Sequence, residues 1–531
     1  MLHSPRIDDH DHPETITTLW SLREDVRVET AEDGTAVELH GRWSDLRVRD
    51  PEPGLVETLR RMSLGPVSLD NVAPGGGHRS WQRALLRLQD LVVRSLAFAD
   101  NGQVLLSAVP LTHAARFSPE PPPEGALLKL SRFAVLRREG DLFQLESPLS
   151  LHRVLLHRPE AQWVVAALGR PVSADKAGDD IPLARAVVRE ILGYLIGTGM
   201  VLVAPNADGD FEEDQDPVLR TWSADDMLFH TRSVMGRDDG DYGATFAHAA
   251  QIKPQPAVKN PPSGPVVRLP RPDLDELLDR DPPFTTALEG RRSVREYGTS
   301  ALSLRTLGEF LYRAARVRST GMVGDGETAY PASDRPYPTG GAAYDLELYL
   351  TVRDCPGLPS GIHYYDPQDH CLVLVNEDPV AAGELSAGAM AAAALTTPPP
   401  VLITLTSRFQ RLSWKYSGLA YALVLKHVGA LIQTFYLVGS AMGLACCAVC
   451  SEDVTVCAGA LGLDWRAESP VGSFVLGPLS DEQRRCHAHH LDERVPVNGS
   501  DWPERSAAAA AVEQREKVRA RATTAVSSRL V

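Results

Sequence analysis

Two stretches of the N-terminal half repeat one pattern of apolar and polar positions. The first starts at Trp20. It carries an alternating run, the Asp33-Gly34 dipeptide, a second run ending at Glu38, a third with Leu46 and Val48, and then Pro51 before a helix-like segment. The second starts at Lys129 and keeps the order: an alternating run, Gly140-Asp141, a run ending at Glu146, Val154 and Leu156, then Pro159. Period-two alternation broken by Gly/Asp pairs predicts antiparallel hairpins. Proline suits the first helical turn, where its missing N–H would have had no partner. Each copy is therefore expected to be a small winged-helix-like unit. The second copy runs on into ARAVVREILGYLIGTG, whose apolar stripe from Ala186 to Leu195 predicts an amphipathic helix ended by glycines.

The C-terminal half has a different rhythm. Ser303 is a candidate N-cap before a helix with Leu304, Leu307, Phe310 and Leu311 on one face. YDLELYLTVRD, GIHYYDP and PPPVLITLTSRF read as strands, LSWKYSGLAYALVLKHVGALIQTFYLVGSAMG as largely helical, and Arg505 to Arg519 as an exposed helix. Between the halves lies KPQPAVKNPPSGPVVRLPRP, too rich in proline for helix or central strand and so a linker or extended arm. The expected organisation is an α+β chain: a winged-helix-like unit over 1–125, a second over 126–252, a Pro-rich linker over 253–272, and a domain with a C-terminal helix over 273–531.

Charge and cysteine usage narrow the function classes. The 531-residue chain has a formal net charge of -15. It lacks the basic excess that neutralises phosphates, so a nucleic-acid partner is not expected. The seven cysteines are few for the length. Cys447 and Cys450 form a CxxC with no second pair to complete a zinc site, so no metal is expected. Cys446, Cys447, Cys450 and Cys457 are expected to be buried apolar thiols, and a reducing cytoplasm is the expected compartment. Val428 to Ser451 carries no charge and matches the length of a membrane span. It has no companion span and no asymmetric positive flank, so the expectation is a helix buried on all sides in a core, followed by a strand or loop.

Three motifs could carry chemistry. Arg291, Arg292, Ser293 and Arg295 place three guanidiniums and a hydroxyl within five residues, a compact anion site. No Walker or GxGxxG glycine pattern accompanies it, which speaks against ATP and against a Rossmann dinucleotide. Pro338, Thr339, Gly340 and Gly341 precede a strand, and paired glycines let backbone approach a flat ligand. Lys415 and Tyr416 are adjacent proton-transfer groups that project roughly 100° apart on a helix, flanking a substrate rather than stacking on each other.

In series, RRSVREY, PTGGAAYDLELYLTV, GIHYYDP and GALIQTFYLVGSAMGLA resemble the nitroreductase superfamily, and within it the SagB-type azoline dehydrogenases. The resemblance spans Asp281 to Gly477 and reaches back into LSRFAVLRREGDLFQLESPLS and FHTRSVMGR. It implies a nitroreductase-like FMN-binding domain and an obligate homodimer with FMN at the interface. It implies that Arg291, Arg292, Ser293 and Arg295 bind the FMN phosphate and flavin edge. Pro338, Thr339, Gly340 and Gly341 would lie against the flavin, and Lys415 and Tyr416 would serve azoline oxidation. Arg484 and Arg485 are candidates for a late phosphate contact. The activity implied is oxidation of thiazolines or oxazolines in a ribosomal precursor peptide, with a cyclodehydratase partner supplying the azoline. The alternatives are an NAD(P)H-fed nitroreductase or flavin reductase, and a non-catalytic peptide-binding scaffold.

Overall fold

The computed structural model describes residues 15–31, 35–43, 45–72, 85–204, 209–450, 452–485, 497–499 and 501–527. The chain forms two compact units, Met1–Gly240 and Asp241–Val531.

In the first unit a six-stranded antiparallel sheet has the order β1 (Ile16–Leu22), β5 (Val92–Phe98), β6 (Val104–Pro110), β10 (His152–Leu156), β9 (Leu142–Glu146), β8 (Val135–Glu139). A three-stranded meander, β2 (Arg27–Thr30), β3 (Ala36–His40) and β4 (Asp45–Arg49), stands beside helix α1 (Pro53–Leu64). A second small sheet joins β7 (Leu127–Leu130) to β11 (Val172–Ser173) and β12 (Val201–Val203). The unit also contains helices α2 (Pro159–Ala167) and α3 (Arg185–Gly197), with others elsewhere, among them Ala224–Arg232.

The repeat is therefore visible in the structure: three meandering strands followed by a proline-opened helix, β2–β4 with α1 and β8–β10 with α2. The first helix opens at Pro53, not Pro51, with Glu52 at the N-cap. Asp33-Gly34 lies outside the described residues, whereas Gly140 makes its turn at φ 58°. Along α3 the buried side chains are those of the expected stripe, among them Val187, Val188, Ile191, Leu192 and Leu195.

Two boundaries differ from expectation. β6 pairs with β10 from Leu106 to Pro110, so residues on either side of position 125 share one sheet. The Pro-rich segment is not a free linker but an arm of the second unit, and residues 241–252 join it there. Proline removes N–H donors and leaves every carbonyl. Arg411 donates to Gln255 O at 2.7 Å, and Arg408 to Pro256 O at 2.9 Å. Within the same segment, β14 (Val266–Arg268) pairs with β19 (Cys371–Asn376) as an edge strand, the position in a sheet that a Pro-rich segment tolerates.

The second unit is a seven-stranded antiparallel sheet covered by helices on both faces. Its order is β14, β19 (Cys371–Asn376), β18 (Gly361–Asp366), β17 (Leu346–Val352), β20 (Val401–Arg408), β23 (Glu468–Pro478), β22 (Leu444–Val449). Side chains alternate between faces along each strand. Leu346, Leu348, Leu350, Ile403, Leu405, Phe474 and Leu476 pack with α4 (Leu304–Ala315) and α6 (Ala420–Ala441). Tyr349, Leu402, Cys447, Val449 and Val475 pack with α5 (Pro379–Ala393) and α7 (Val454–Leu461). Every residue of β17 and β20 is buried, the polar Glu347, Thr351, Thr404, Thr406, Ser407 and Arg408 included. The hydroxyl of Ser303 accepts from Thr306 N–H at 3.1 Å, the cap its position predicts.

Helix α6 is long and apolar enough to cross a membrane by length and composition alone, yet one stripe of it, including Val424, Val428, Leu431 and Phe435, belongs to the core of this unit. The stretch from Val428 is not buried on all sides: Gly429 and Gln433 are exposed, as are Tyr421 and Leu425 earlier in the helix. Cys446, Cys447 and Cys457 are buried as expected, while Cys450 is exposed. Two short ribbons complete the unit, β13 (Gly243–Ala244) with β21 (Tyr416–Ser417), and β15 (Ser319–Val323) with β16 (Tyr330–Asp334).

Candidate functional site

The sequence motifs gather into two clusters along α6. At its C-terminal half, the segment from Arg291 runs beside β22, with Val294 N–H donating to Cys446 O at 2.8 Å. Tyr436 organises this end. Its hydroxyl lies 2.7 Å from Ser293 Oγ and accepts from Ala448 N–H at 2.8 Å, and the Arg291 guanidinium sits 5.1 Å from its ring centre. Burial pushes the Tyr436 hydroxyl above its ordinary value, so it stays a neutral hydrogen-bonding group. Arg292 donates to the carbonyl of Gln483. A cavity of about 220 Å³ opens here, lined by Arg292, Gly290, Ser440, Leu444 and Gln483 among others. Among the described residues no carboxylate forms an ion pair with Arg291, Arg292 or Arg295. The side chains of Arg484 and Arg485 lie outside the described residues.

At the N-terminal half of α6 stand the glycine segment and the Lys–Tyr pair. His427 joins them to the core. Its Nδ1 lies 2.6 Å from Asp345 Oδ1, and its Nε2 accepts from Gly340 N–H at 2.8 Å. The second Asp345 oxygen accepts from Ser407 Oγ at 2.7 Å. The imidazole can accept from Gly340 only as the neutral tautomer with the proton on Nδ1. Gly341 takes φ 61°, and a Cβ there would fall 2.2 Å from Lys415 Nζ and 2.8 Å from the Tyr416 hydroxyl. Glycine at 341 is favoured by its left-handed backbone, and a Cβ there would displace the tips of the Lys415 and Tyr416 side chains pressed against it.

Lys415 is 8% exposed. Its Nζ donates to the Tyr330 hydroxyl at 2.6 Å, which donates in turn to Gly341 O at 2.6 Å. The ammonium sits 4.4 Å from the Tyr330 ring centre and 4.9 Å from that of Tyr416. Among the described residues no carboxylate pairs with it. Tyr416 lies on the short strand β21, not on a helix, and this brings both groups to the glycine segment. Pro338 and Thr339 lead into that segment, and Thr339 Oγ1 accepts from Tyr344 N–H at 3.3 Å.

The structure therefore brings Lys415 and Tyr416 to Gly340 and Gly341, and Ser293 to Arg291 and Arg292, but it does not bring the two groups together. His427 and Tyr436 are nine positions apart on α6, about 13 Å at the helical rise. The cavity beside Arg292 is lined by none of Lys415, Tyr416, Gly340 or Gly341. Three residues that sequence reasoning missed hold the first group in place: Tyr330, His427 and Arg411. The guanidinium of Arg411 ties Gln255 O, Pro331 O and Ala343 O together. Burial drives it down to about 10, still charged at neutral pH. None of the three sits in a recognisable motif; each is defined by partners remote in the chain.

The nitroreductase family model matches residues 288–478, the stretch that contains both clusters. A Methanocaldococcus jannaschii protein named "Putative nitroreductase MJ1384" is 31% identical over 181 residues, 34% of this chain and 82% of the relative. This chain belongs to the nitroreductase family. It is an oxidoreductase, and FMN is the cofactor of its family. A second model, described as cyanobactin oxidase ThcOx, matches residues 128–239 of this nitroreductase-family chain. Among solved structures, an Escherichia coli microcin synthetase McbBCD complex with truncated pro-MccB17 bound is 22% identical, covering 36% of this chain and 71% of that one with TM-score 0.30. A nitroreductase-type structure from Desulfovibrio desulfuricans in complex with FMN is 16% identical, covering 40% and 92% with TM-score 0.26.

The residues present fit a phosphate-bearing flavin. Arg292 lines the cavity and Arg291 lies over Tyr436 beside it, with Arg295 three residues on in the chain, and none of the three has a carboxylate partner among the described residues, as an anion site requires. At the other end, the side-chain-free Gly340 and Gly341 leave backbone beside two proton-transfer groups.

Proposed function

We propose that this oxidoreductase converts thiazolines or oxazolines of a ribosomally made precursor peptide to the aromatic azoles, in the cytoplasm and with a cyclodehydratase supplying the azoline. The observation that carries the reading is Lys415. It is a buried lysine with no carboxylate partner among the described residues, held by Tyr330 and pressed with Tyr416 against Gly341. A flavin reductase fed by NAD(P)H needs no such base. The match of residues 128–239 to the cyanobactin oxidase model supports the same reading.

In this scheme Lys415 in its free-amine form, or Tyr416 as the phenolate, takes the azoline Cα proton. Bound FMN supplies the two-electron acceptor for the hydride that leaves Cβ. Tyr330 fixes the direction of Lys415 Nζ, and the carbonyl of Gly341 fixes Tyr330. Arg291, Arg292, Ser293 and Arg295 would hold the cofactor's phosphate end, and Pro338, Thr339, Gly340 and Gly341 would line its ring.

The separation of the two clusters along α6 supports a site completed by a second copy of the chain, with FMN between an arginine segment of one protomer and a glycine segment of its partner. The exposed Tyr421 and Leu425 of α6 then fall in the dimer interface. The first half of the chain would recruit peptide or dock the cyclodehydratase through an open strand edge.

The test uses purified protein carrying FMN. Azoline peptide should bleach the flavin anaerobically and be recovered as azole, two mass units lighter. Rapid bleaching by NADPH with none by azoline peptide would favour the flavin-reductase reading. Absence of bound flavin would favour a scaffold.

A further inference from the structure

A cavity of about 280 Å³ in the second unit is lined by Arg271, Tyr312, Arg316, Arg318, Gln368 and His370 among others. It shares no residue with the cavity at Arg292. Arg316 follows the last turn of α4, donates to Tyr312 O at 2.8 Å and lies 4.5 Å from that ring's centre. This bond caps the helix end, as a basic residue there commonly does. It leaves the rest of the guanidinium fork pinned and open.

Arg318 is held by Asp334 and by Arg335 O, each at 2.7 Å. Arg271 has no hydrogen-bond or ion-pair partner among the described residues, and no described carboxylate pairs with Arg316. The nearby Asp366 uses one carboxylate oxygen to accept from the backbone N–H groups of Gln368 and Asp369. The local field is felt by His370: burial chiefly lowers its imidazole, its bond to Pro270 O opposes this, and Arg271 and Arg316 add to the lowering. In a chain with 69 acidic and 54 basic side chains, two guanidiniums left without carboxylates in one cavity are a poor match for packing alone.

The cavity opens onto a free strand edge. Strand β15 starts directly after Arg318, all five of its residues are exposed, and β16 is its one described neighbour. The ribbon runs from Ser319 opposite Asp334, at the cavity, to Val323 opposite Tyr330, whose hydroxyl holds Lys415. Four strand steps separate the two ends, about 13 Å.

We propose that the Arg271–Arg316–Arg318 cavity takes a carboxylate side chain of the substrate peptide, which lies as an added strand along the free edge of β15 with its reacting residue toward Lys415. The inference rests on the azoline-oxidation reading and deepens it by defining the substrate: an extended peptide with an acidic residue a fixed number of positions from the heterocycle. Guanidinium forks match carboxylates in pairs, strand addition supplies backbone affinity, and the pocket supplies register. The overall charge of -15 disfavours capture of an acidic peptide elsewhere on the surface.

The experiment is fluorescence anisotropy on the full-length, FMN-loaded protein, so that the Arg291 segment is occupied. The probes are labelled azoline peptides with a single glutamate two to six positions from the ring, each with its glutamine counterpart. One register should bind at least tenfold more tightly than its glutamine partner. The Arg271→Gln/Arg316→Gln variant should lose that preference while keeping its FMN content and melting temperature. Equal affinity at every register would overturn the proposal, as would an unchanged preference in the double variant. Arginine-dependent binding of inorganic phosphate with no response to glutamate would overturn the carboxylate assignment. Turnover is read separately. A register preference without azole formation sinks the activity and leaves the pocket; azole formation without a preference does the reverse.

Discussion

Lys415, Tyr330 and the carbonyl of Gly341 form a directed line of hydrogen bonds in which each group has one evident role. Replacing Lys415 with alanine, or Tyr416 with phenylalanine, should leave FMN bound and slow azole formation by about 10²–10⁴-fold, the usual loss for a positioned acid–base group. A variant that oxidises peptide at the parental rate would make that residue structural. Tyr330→Phe keeps the ring beneath the ammonium and removes only the bond that aims Nζ. A kcat lowered by roughly tenfold, with KM and FMN content unchanged, is expected. At the other cluster, Arg291→Ala should leave the fold intact and release flavin on gel filtration, because a phosphate there would lose a charge-assisted bond. Retention of stoichiometric FMN would remove Arg291 from the phosphate site.

The elements explain which of these groups the sequence displays. The Ser303 cap, the α3 stripe and strands β17 and β20 were legible because each is set by spacing within a few residues. The arginine and glycine motifs stood out for the same reason. Tyr330 did not, since its role comes from Lys415, 85 positions away, and nothing in TAYPASD marks it. Nor did His427 and Asp345, partners 82 positions apart. Burial of α6 was overstated because uncharged sequence does not tell a core stripe from a face left for a partner. The docking of the Pro-rich arm was missed because composition shows lost donors, not the arginines that use the remaining carbonyls. Arg411 is the sharpest case. Arg411→Met should leave Gln255 O, Pro331 O and Ala343 O without a donor and destabilise the second unit by about 2–4 kcal/mol, read as a lower urea midpoint. An unchanged midpoint would mean that water replaces the guanidinium at little cost.

Acid stability depends on the first unit as a body. His152, the first residue of β10, is buried with Nε2 unpartnered, and burial drives its imidazole down to about 4. His157 moves in the same direction for the same reason. In the unfolded chain such a group titrates near 6.5. Between the two values the unfolded chain holds a proton that the folded one does not, so stability rises with pH there. The contribution is complete above about pH 6.5, falls as pH drops toward 4, and is flat below. For His152 it amounts to at most about 3 kcal/mol. His152→Phe, which keeps a ring beside Phe117, should shrink the difference in urea midpoint between pH 7 and pH 4.5. The same difference in the variant would assign the acid sensitivity to other groups.

At the scale of the whole molecule the question is what the first 240 residues do for the chemistry of the rest. A truncation after residue 125 would confuse the answer. It removes β1, β5 and β6, exposes the long edge of β10 and strips the core around Leu105 and Leu106, so the remainder of the sheet should unfold for reasons unrelated to peptide delivery. The informative cut follows Gly240. Residues from Asp241 onward keep their own core around Phe310, Phe435 and Phe474, the arm over 253–272, and both clusters along α6. That fragment is expected to bind FMN and to oxidise a short azoline core peptide at near the parental rate, while losing any advantage for a precursor that carries its leader. Two assays on one preparation, core and leader-bearing peptide, decide it. A selective loss of the leader advantage makes the first unit a recruiting module. A parallel loss of both substrates with FMN still bound makes it part of the catalytic scaffold, and an unchanged leader advantage rules it out of delivery.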